Sequence, residues 1–417
     1  MSAKAATAHT RGSISAESLA SVMLWLFVFA GSFVMFEPSP YEAMFIPAIL
    51  AFMLAGLSVP AAIMPLIFLL VLMNIGGVMS MIQVADRPDT VSYAIVSIFM
   101  AANAIFFAMI LSTRTLERFA TIRGAYILSA IIAASLGIAG YFNIAGTFDT
   151  FTLYGRAKGL FKDPNVFAPF LIPPLIFLLQ DMLLGRMRVL VRTLPIFILI
   201  FLALFLGFSR GAWAQFVVSS LFAVLFLLVL APSAKLRMRV VVLSIVAGIA
   251  LAVSLATLLA VPAIHELFVS RFALAQNYDV GAGGRFTNQI LGIGVILDNP
   301  LGIGPHRFAY MFGEDPHNVY MNVFLAYGWL GGFSYIAVVV LTWIMGLRAM
   351  FRESPYRLQL SAIMACYMGL CLLGLIIHTD HWRHSFLLLG VTWGFIVAVA
   401  RWNAREASAR QLASRQT

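Results

Sequence analysis

Apolar runs long enough to cross a bilayer recur along this chain from one end to the other, and they restrict it to a helical membrane fold. In hydrocarbon every backbone N–H and C=O must be satisfied inside the protein, and a spanning helix needs about 20 apolar residues. Twelve runs are read, at 19–36, 43–57, 61–83, 91–111, 124–142, 165–183, 192–208, 211–230, 240–262, 329–347, 358–377 and 385–400. The second is short. A separate helix, 318–327, is expected ahead of the tenth run, broken from it by Gly328, Gly331 and Gly332. Composition agrees: 62% of the 417 residues are hydrophobic and 11% charged, outside the range of soluble domains. The expected class is all-α, a polytopic membrane protein with about 12 transmembrane helices. One membrane domain, 19–400, is expected between a tail at 1–18 and another at 401–417, with a long loop, 263–317, between the ninth and tenth runs. Residues 1–18 read as a polar tail and not a secretory signal, so the first run is expected to be retained. Cys366 and Cys371 fall in one run and are too few for a disulfide framework or a thiolate metal site, which leaves core packing.

Basic residues give an orientation, because cytoplasmic loops are enriched in Lys and Arg. With both termini inside, the inner segments hold 18 of the 27 Lys and Arg but only 5 of the 17 Asp and Glu. The inner end then has net charge +13 and the outer end −3. The overall +10 follows from topology and calls for no nucleic-acid partner. Eight outer cations nonetheless run against the rule and need a reason: Arg156, Lys158, Lys162, Arg210, Arg271, Arg285, Arg307 and Arg383. Arg210 is the sharpest case, since Gly207-Phe208-Ser209-Arg210-Gly211 is a tight turn that holds the guanidinium at the membrane surface. Alone it reads as a snorkelling arginine on lipid phosphate; functionally it reads as a planar fork for a phosphate or diphosphate. No ionisable residue falls in the centre of a run, although Asn74, Asn103 and Gln215 do. Ion-coupled transporters usually carry a charge there, so the balance shifts from transport to chemistry at the surface.

The loops carry the remaining signal. From Gly155 to Asn165 a basic, glycine-punctuated loop runs into the sixth run with Pro164 near its first turn. It reads as a solvated face, or as an anion site at a helix start built from Arg156, Lys158, Lys162 and Asn165. Apolar residues recur at helical spacing from Ile264 to Phe272, as expected of a helix lying in the membrane interface. Gly281 to Gly284 form no dinucleotide fingerprint, because no strand precedes them. Gly302 and Gly304 mark a turn where backbone approaches a ligand, and His317, followed by Asn318, opens a helix; its ring reads as facing a cavity at the outer leaflet, or as a structural or idle loop histidine. The His378–His384 segment reads as an interfacial turn anchored by Trp382, or as a metal site in which at most two of its histidines join Asp380. Glu314 and Asp315 read as divalent-ion ligands or as an acidic turn before a helix.

Taken in order, Arg156 through Asn165, Ser209-Arg210-Gly211, Arg285, Pro300-Leu301-Gly302-Ile303-Gly304, His317-Asn318 and the glycines at 328 and 331 resemble the O-antigen ligase and polysaccharide polymerase superfamily of bacterial membrane proteins. The resemblance covers about residues 155–345. The early runs carry no distinguishing motif, and the His378–His384 turn departs from the family's pattern. The resemblance implies a glycosyltransferase of the inner membrane with its active site on the periplasmic side; arginines fixed on helix ends would stabilise the leaving diphosphate with no metal or other cofactor, and attack on the opposite face would invert the anomeric centre. It would take a glycan from undecaprenyl diphosphate and join it to an acceptor hydroxyl, lipid A-core in a ligase or another carrier-linked glycan in a polymerase. Carried residue by residue, the phosphate-binding arginines fall on Arg210 and Arg285 and the motif histidine on His317. A flippase or solute transporter of the same length would instead place its charges in a central cavity.

Overall fold

A computed structural model describes residues 15–84, 87–262, 265–266, 268–269 and 285–416, with Pro88, Arg285, Phe286 and residues 415–416 described in backbone only. Most of the expected Ile264–Phe272 helix, Arg271 and the Gly281–Gly284 run lie outside the described residues. The elements are α1 (Ala16–Phe29), α2 (Pro40–Leu54), α3 (Met64–Met81), α4 (Pro88–Leu111), α5 (Thr115–Tyr141), α6 (Phe148–Phe151), a hairpin of β1 (Thr152–Leu153) and β2 (Arg156–Ala157), α7 (Pro164–Phe170) and α8 (Ile172–Leu184). Then follow α9 (Met187–Leu206), α10 (Arg210–Leu230), α11 (Ala234–Leu259), α12 (Arg285–Asp298), α13 (Arg307–Phe312), α14 (Val319–Phe351), α15 (Arg357–Leu373) and α16 (Arg383–Gln416). The class is all-α and the protein is a polytopic membrane protein.

Each of the twelve apolar runs falls largely on helix. Among the described residues nine helical segments are long and apolar enough to cross a membrane, and three more, Ala16–Ser32, Pro40–Leu54 and Arg357–Leu373, are apolar but shorter. Local signals set the short lengths. α2 begins at a capping box, in which the Ser39 backbone N–H donates to Glu42, and it stops just before Gly56 at φ +89°. α15 ends where Gly374 turns the chain.

Packing follows the apolar faces. α14 lies along α3, α16 along α4, α10 along α15 and α5 along α9. α8 and α15 are buried nearly all round and form the centre, whereas α11 buries only Val240 and presents its apolar side chains outward, as a lipid-facing helix does. Small residues permit the closest approach: a Cβ on Gly76 of α3 would sit 2.5 Å from the Tyr327 carbonyl oxygen and 2.7 Å from the Gly331 nitrogen of α14. One end of the bundle carries the start of α1 and the end of α8 and is tied by ion pairs and arginine bonds to backbone, among them Arg118 to Glu17 at 2.9 Å, Arg123 to Asp181, and Arg401 to the Ser112 carbonyl at 2.7 Å. The opposite end carries the hairpin, α12, α13 and the turns 207–209 and 374–382, and this is where the expected site residues gather.

Candidate active site

The hairpin brings the first cations into place. Tyr154 and Gly155 have φ of 52° and 70°, the double positive φ of a two-residue hairpin turn, so Leu153 pairs with Arg156 and Thr152 with Ala157. Arg156 is thereby buried at 7% exposure: its Nε donates to the Gly207 carbonyl at 2.9 Å and its Nη2 to Asn165 Oδ1 at 2.8 Å. Asn165 sits in the first turn of α7, which Asp163 caps by accepting from the Asn165 N–H. Lys162 pairs at 3.0 Å with Glu37, and Arg383 bonds Glu42 and reaches Glu37, so the loop before α2 spans both cations. Lys158 is half-buried, its N–H bonded to the Phe151 carbonyl.

Arg210 is the first residue of α10. The preceding turn is short: Gly207 ends α9, Phe208 takes φ 42°, and Ser209 is extended. The Phe208 ring is buried against Tyr141, Phe205 and Trp213, which fixes the direction in which α10 starts. Phe268, one of the described helical residues after α11, stacks on Trp213 at 5.5 Å. A cation in the first turn opposes the helix dipole, which favours anions there by about 0.3–1 kcal/mol. Arg285 is the first described residue of α12.

α12 is pinned to the segment before α14. Asn288 Nδ2 donates to the Glu314 carbonyl at 3.0 Å and Gln289 Nε2 to the Pro316 carbonyl at 3.1 Å, which sets the start of α12 beside His317. His317 has φ 48°, and Asn318 caps α14 by accepting from the N–H groups of Tyr320 and Met321. Its Nε2 lies 3.8 Å from Glu314, both groups part-exposed, and its ring stacks on His378 at 5.8 Å between centroids.

The corner after α15 joins this group to Arg210. Val319 N–H donates to the Gly374 carbonyl at 2.8 Å, while a Cβ on Gly211 would meet Leu373 at 2.8 Å and Ile376 at 3.3 Å. Residues 373–376 therefore touch the neighbour of Arg210 on one side and the helix that follows His317 on the other. Arg210, the start of α12 and His317 share one end of the bundle.

Gly302 and Gly304 serve packing. α14 breaks at Gly328, with φ 65° and ψ −172°, and the turn Pro300–Gly304 supplies the missing partners: Trp329 N–H donates to the Pro300 carbonyl and Ile303 N–H to the Leu325 carbonyl, both at 2.8 Å. A Cβ on Gly302 would lie 2.5 Å from Ser80 Oγ and 2.7 Å from the Gly328 nitrogen, and one on Gly304 would lie 2.4 Å from Val84. The backbone that approaches these glycines is the protein's own.

Residues 195–336 match the O-antigen ligase family model. No curated protein matches the chain. Members of that family are membrane glycan transferases of the O-antigen ligase and polymerase type. The O-antigen ligase segment runs from within α9 to within α14 and contains Arg210, Arg285, Gly302, Gly304, His317, Asn318 and the Gly328 break, whereas Arg156, Lys158, Lys162 and Asn165 precede it.

A buried polar knot adjoins that segment and escaped sequence reasoning. Asp380, 2% exposed, accepts at Oδ2 from Tyr93 at 2.7 Å and Asn322 at 3.1 Å, and lies 3.2 Å from His381 Nδ1; the other His381 ring nitrogen is 3.2 Å from the Tyr93 carbonyl. Burial alone pushes the Asp380 carboxyl up, but the imidazole of His381 and the Tyr93 hydroxyl hold it well below the usual carboxylate range. Burial pushes the His378 imidazole below its ordinary value against the pull of Asp380 and Asp315. Trp382, expected as an interfacial anchor, is buried beside His384. Among the described residues no three His, Cys, Asp or Glu side chains form a set fit to hold a metal ion. Only Asn322 of this knot lies in the O-antigen ligase segment, and its partners come from α4 and the 374–382 turn, so no local motif announces it.

Proposed function

We propose that this protein is a glycosyltransferase that moves a glycan from a polyprenyl diphosphate, undecaprenyl diphosphate in bacteria, to an acceptor hydroxyl at the outer face of the inner membrane. The observation that carries the reading is that Arg210 at the start of α10, His317 just before α14 and the backbone of Arg285 in α12 lie at one end of the bundle, all three inside the O-antigen ligase segment. Free N–H groups and dipoles at helix starts favour anions, and a guanidinium fork adds paired hydrogen bonds to diphosphate oxygens.

The chemistry needs little more. The bond between the anomeric carbon and the diphosphate oxygen breaks, its electron pair leaves with the diphosphate, and the two arginines stabilise the charge that develops. The acceptor oxygen bonds the opposite face of the anomeric carbon, inverting it, while its proton passes to His317. The charge stabilisation rests on arginines, so the reaction is proposed to be independent of metal. Lipid A-core is the proposed acceptor; a carrier-linked glycan would make the same protein a polymerase.

The test is transfer in proteoliposomes holding a carrier-linked glycan and lipid A-core. Arg210→Ala and Arg285→Ala should remove most activity, with Lys restoring only part, and His317→Ala should slow transfer by about 10²–10⁴-fold. A well-folded His317→Ala variant that turns over normally removes the base from this scheme. Deletion in cells separates the acceptors: loss of a ligase leaves polymerised glycan on the carrier and bare core, and loss of a polymerase leaves core bearing a single repeat.

A further inference from the structure

Arg156 stands outside the O-antigen ligase segment, yet its side chain grips the turn from which Arg210 projects. We propose that Arg156 is a positioning residue that aims Arg210 and makes no contact with the donor, an inference that rests on Arg210 being the diphosphate arginine. The Gly207 carbonyl it holds is among the last of α9, where unpaired carbonyls carry partial negative charge and favour a buried cation. Its second bond, to Asn165, ties that carbonyl to the start of α7, so one guanidinium clamps the hairpin, α7 and the end of α9 together.

Only Phe208 and Ser209 separate the clamped carbonyl from Arg210. Phe208 holds a left-handed φ and buries its ring, so the turn has one conformation to lose. Space around the clamp is closed as well: a Cβ on Gly207 would lie 3.2 Å from Ala168, and one on Gly159 would lie 2.6 Å from the Ala133 carbonyl oxygen. Released from Arg156, Gly207 can rotate its peptide, and the error passes directly to the first residue of α10. A lysine at 156 keeps the charge but offers a single ammonium where two separated acceptors must be bridged.

A double-mutant cycle tests this in proteoliposomes, with kcat and KM for the donor as readouts and binding of undecaprenyl diphosphate alone where turnover is too low. Arg156→Lys should lose about 10- to 100-fold in kcat/KM for the donor, the scale of one buried charge-assisted bond, and fall close to Arg156→Ala. KM for the acceptor should not move. In the Arg210→Ala background, Arg156→Lys should cost nothing further, because a residue that acts only through Arg210 has nothing left to aim. Asn165→Ala removes one bond without stranding a charge, serves if the Arg156 variants do not fold, and should likewise lose its effect beside Arg210→Ala. Full activity of Arg156→Lys would show that the paired bonds aim nothing, and losses that multiply with Arg210→Ala would show Arg156 to be an independent donor contact; either result would overturn the inference. Normal activity of Arg210→Ala alone would instead overturn the reading of the site.

Discussion

Gly328→Ala probes the helix break in α14 at a single atom. At φ 65° and ψ −172° the backbone lies where an L residue is held only at a cost of about 1–3 kcal/mol. The added Cβ would sit 2.6 Å from the Leu301 carbonyl carbon, 2.7 Å from its oxygen and 2.9 Å from the Pro300 oxygen. Those atoms are not free to retreat, because Pro300 accepts from Trp329 N–H and the turn continues into the Ile303 bond to Leu325. Overpacking of this kind adds about 1–3 kcal/mol, so the total is about 2–6 kcal/mol, a large part of the stability of an ordinary domain. Two further glycines separate the contributions. Gly313 has φ +87° with nothing within 4 Å of an added Cβ, so Gly313→Ala reports backbone strain alone, about 1–2 kcal/mol. Gly294 lies inside α12 and its Cβ also meets nothing, so Gly294→Ala should stabilise by about 0.4–1 kcal/mol. Thermal unfolding in nanodiscs, followed by tryptophan fluorescence, should rank Gly294→Ala above the unmodified protein, then Gly313→Ala, then Gly328→Ala. A Gly328→Ala melt level with Gly313→Ala would mean that the turn yields and packing adds nothing; one level with the unmodified protein would refute the break itself.

Acid should weaken the end of the bundle that carries the 374–382 turn, through His378: its folded value lies below the ordinary 6.5, so the unfolded chain binds the proton more readily, and stability present above 6.5 falls as pH drops below it. Melts at pH 7 and pH 5 should differ, and His378→Gln should shrink the difference; its neighbours Asp315, Asp380, His381, His306 and His317 stay in place in both. Transfer by purified protein should survive strong chelation, and a loss in EDTA that Mg²⁺, Mn²⁺ or Zn²⁺ reverses would contradict the arginine-based scheme. A single cysteine placed at 317 in a background lacking Cys366 and Cys371 should be labelled from outside intact cells. Labelling only after the inner face is opened would invert the proposed topology.

The helices were legible because each satisfies its own backbone and advertises itself by an apolar run. The break after residue 327 was legible too, as glycines in an otherwise apolar stretch, although only Gly328 leaves the helix while Gly331 and Gly332 remain in it, Gly331 where the α3 backbone comes close and Gly332 against the Phe324 ring. Partnership across the chain was not legible. Arg156, Lys162 and Asn165 formed one basic loop in sequence, but the first and last are bonded to each other and Lys162 to Glu37. Tyr93, Asn322 and Asp380 are separated by more than two hundred residues and by 58, and nothing near any of them in sequence marks it as a member of a knot. A polar residue inside an apolar run was the one available hint, and Asn322 carries it. Gly302 and Gly304 were rightly placed in a turn, but their reason lies in α14, which no reading of the turn alone supplies.

The bonds between Pro300–Gly304 and the broken helix also set an order of events during synthesis. The turn leaves the ribosome before Leu325 and Trp329, so it must wait, with its own carbonyls and amides unspent, until the tenth apolar segment has entered the bilayer. That segment arrives with an interrupted ladder of its own, and hydrocarbon offers it no substitute partners. Insertion of the helix and docking of the turn are then one event. A lengthening of the chain between residues 300 and 304 should thus surface as a failure of biogenesis, with protein cleared before it reaches the catalytic stage, while an insertion of equal size beside Gly313 should leave the amount of mature protein unchanged.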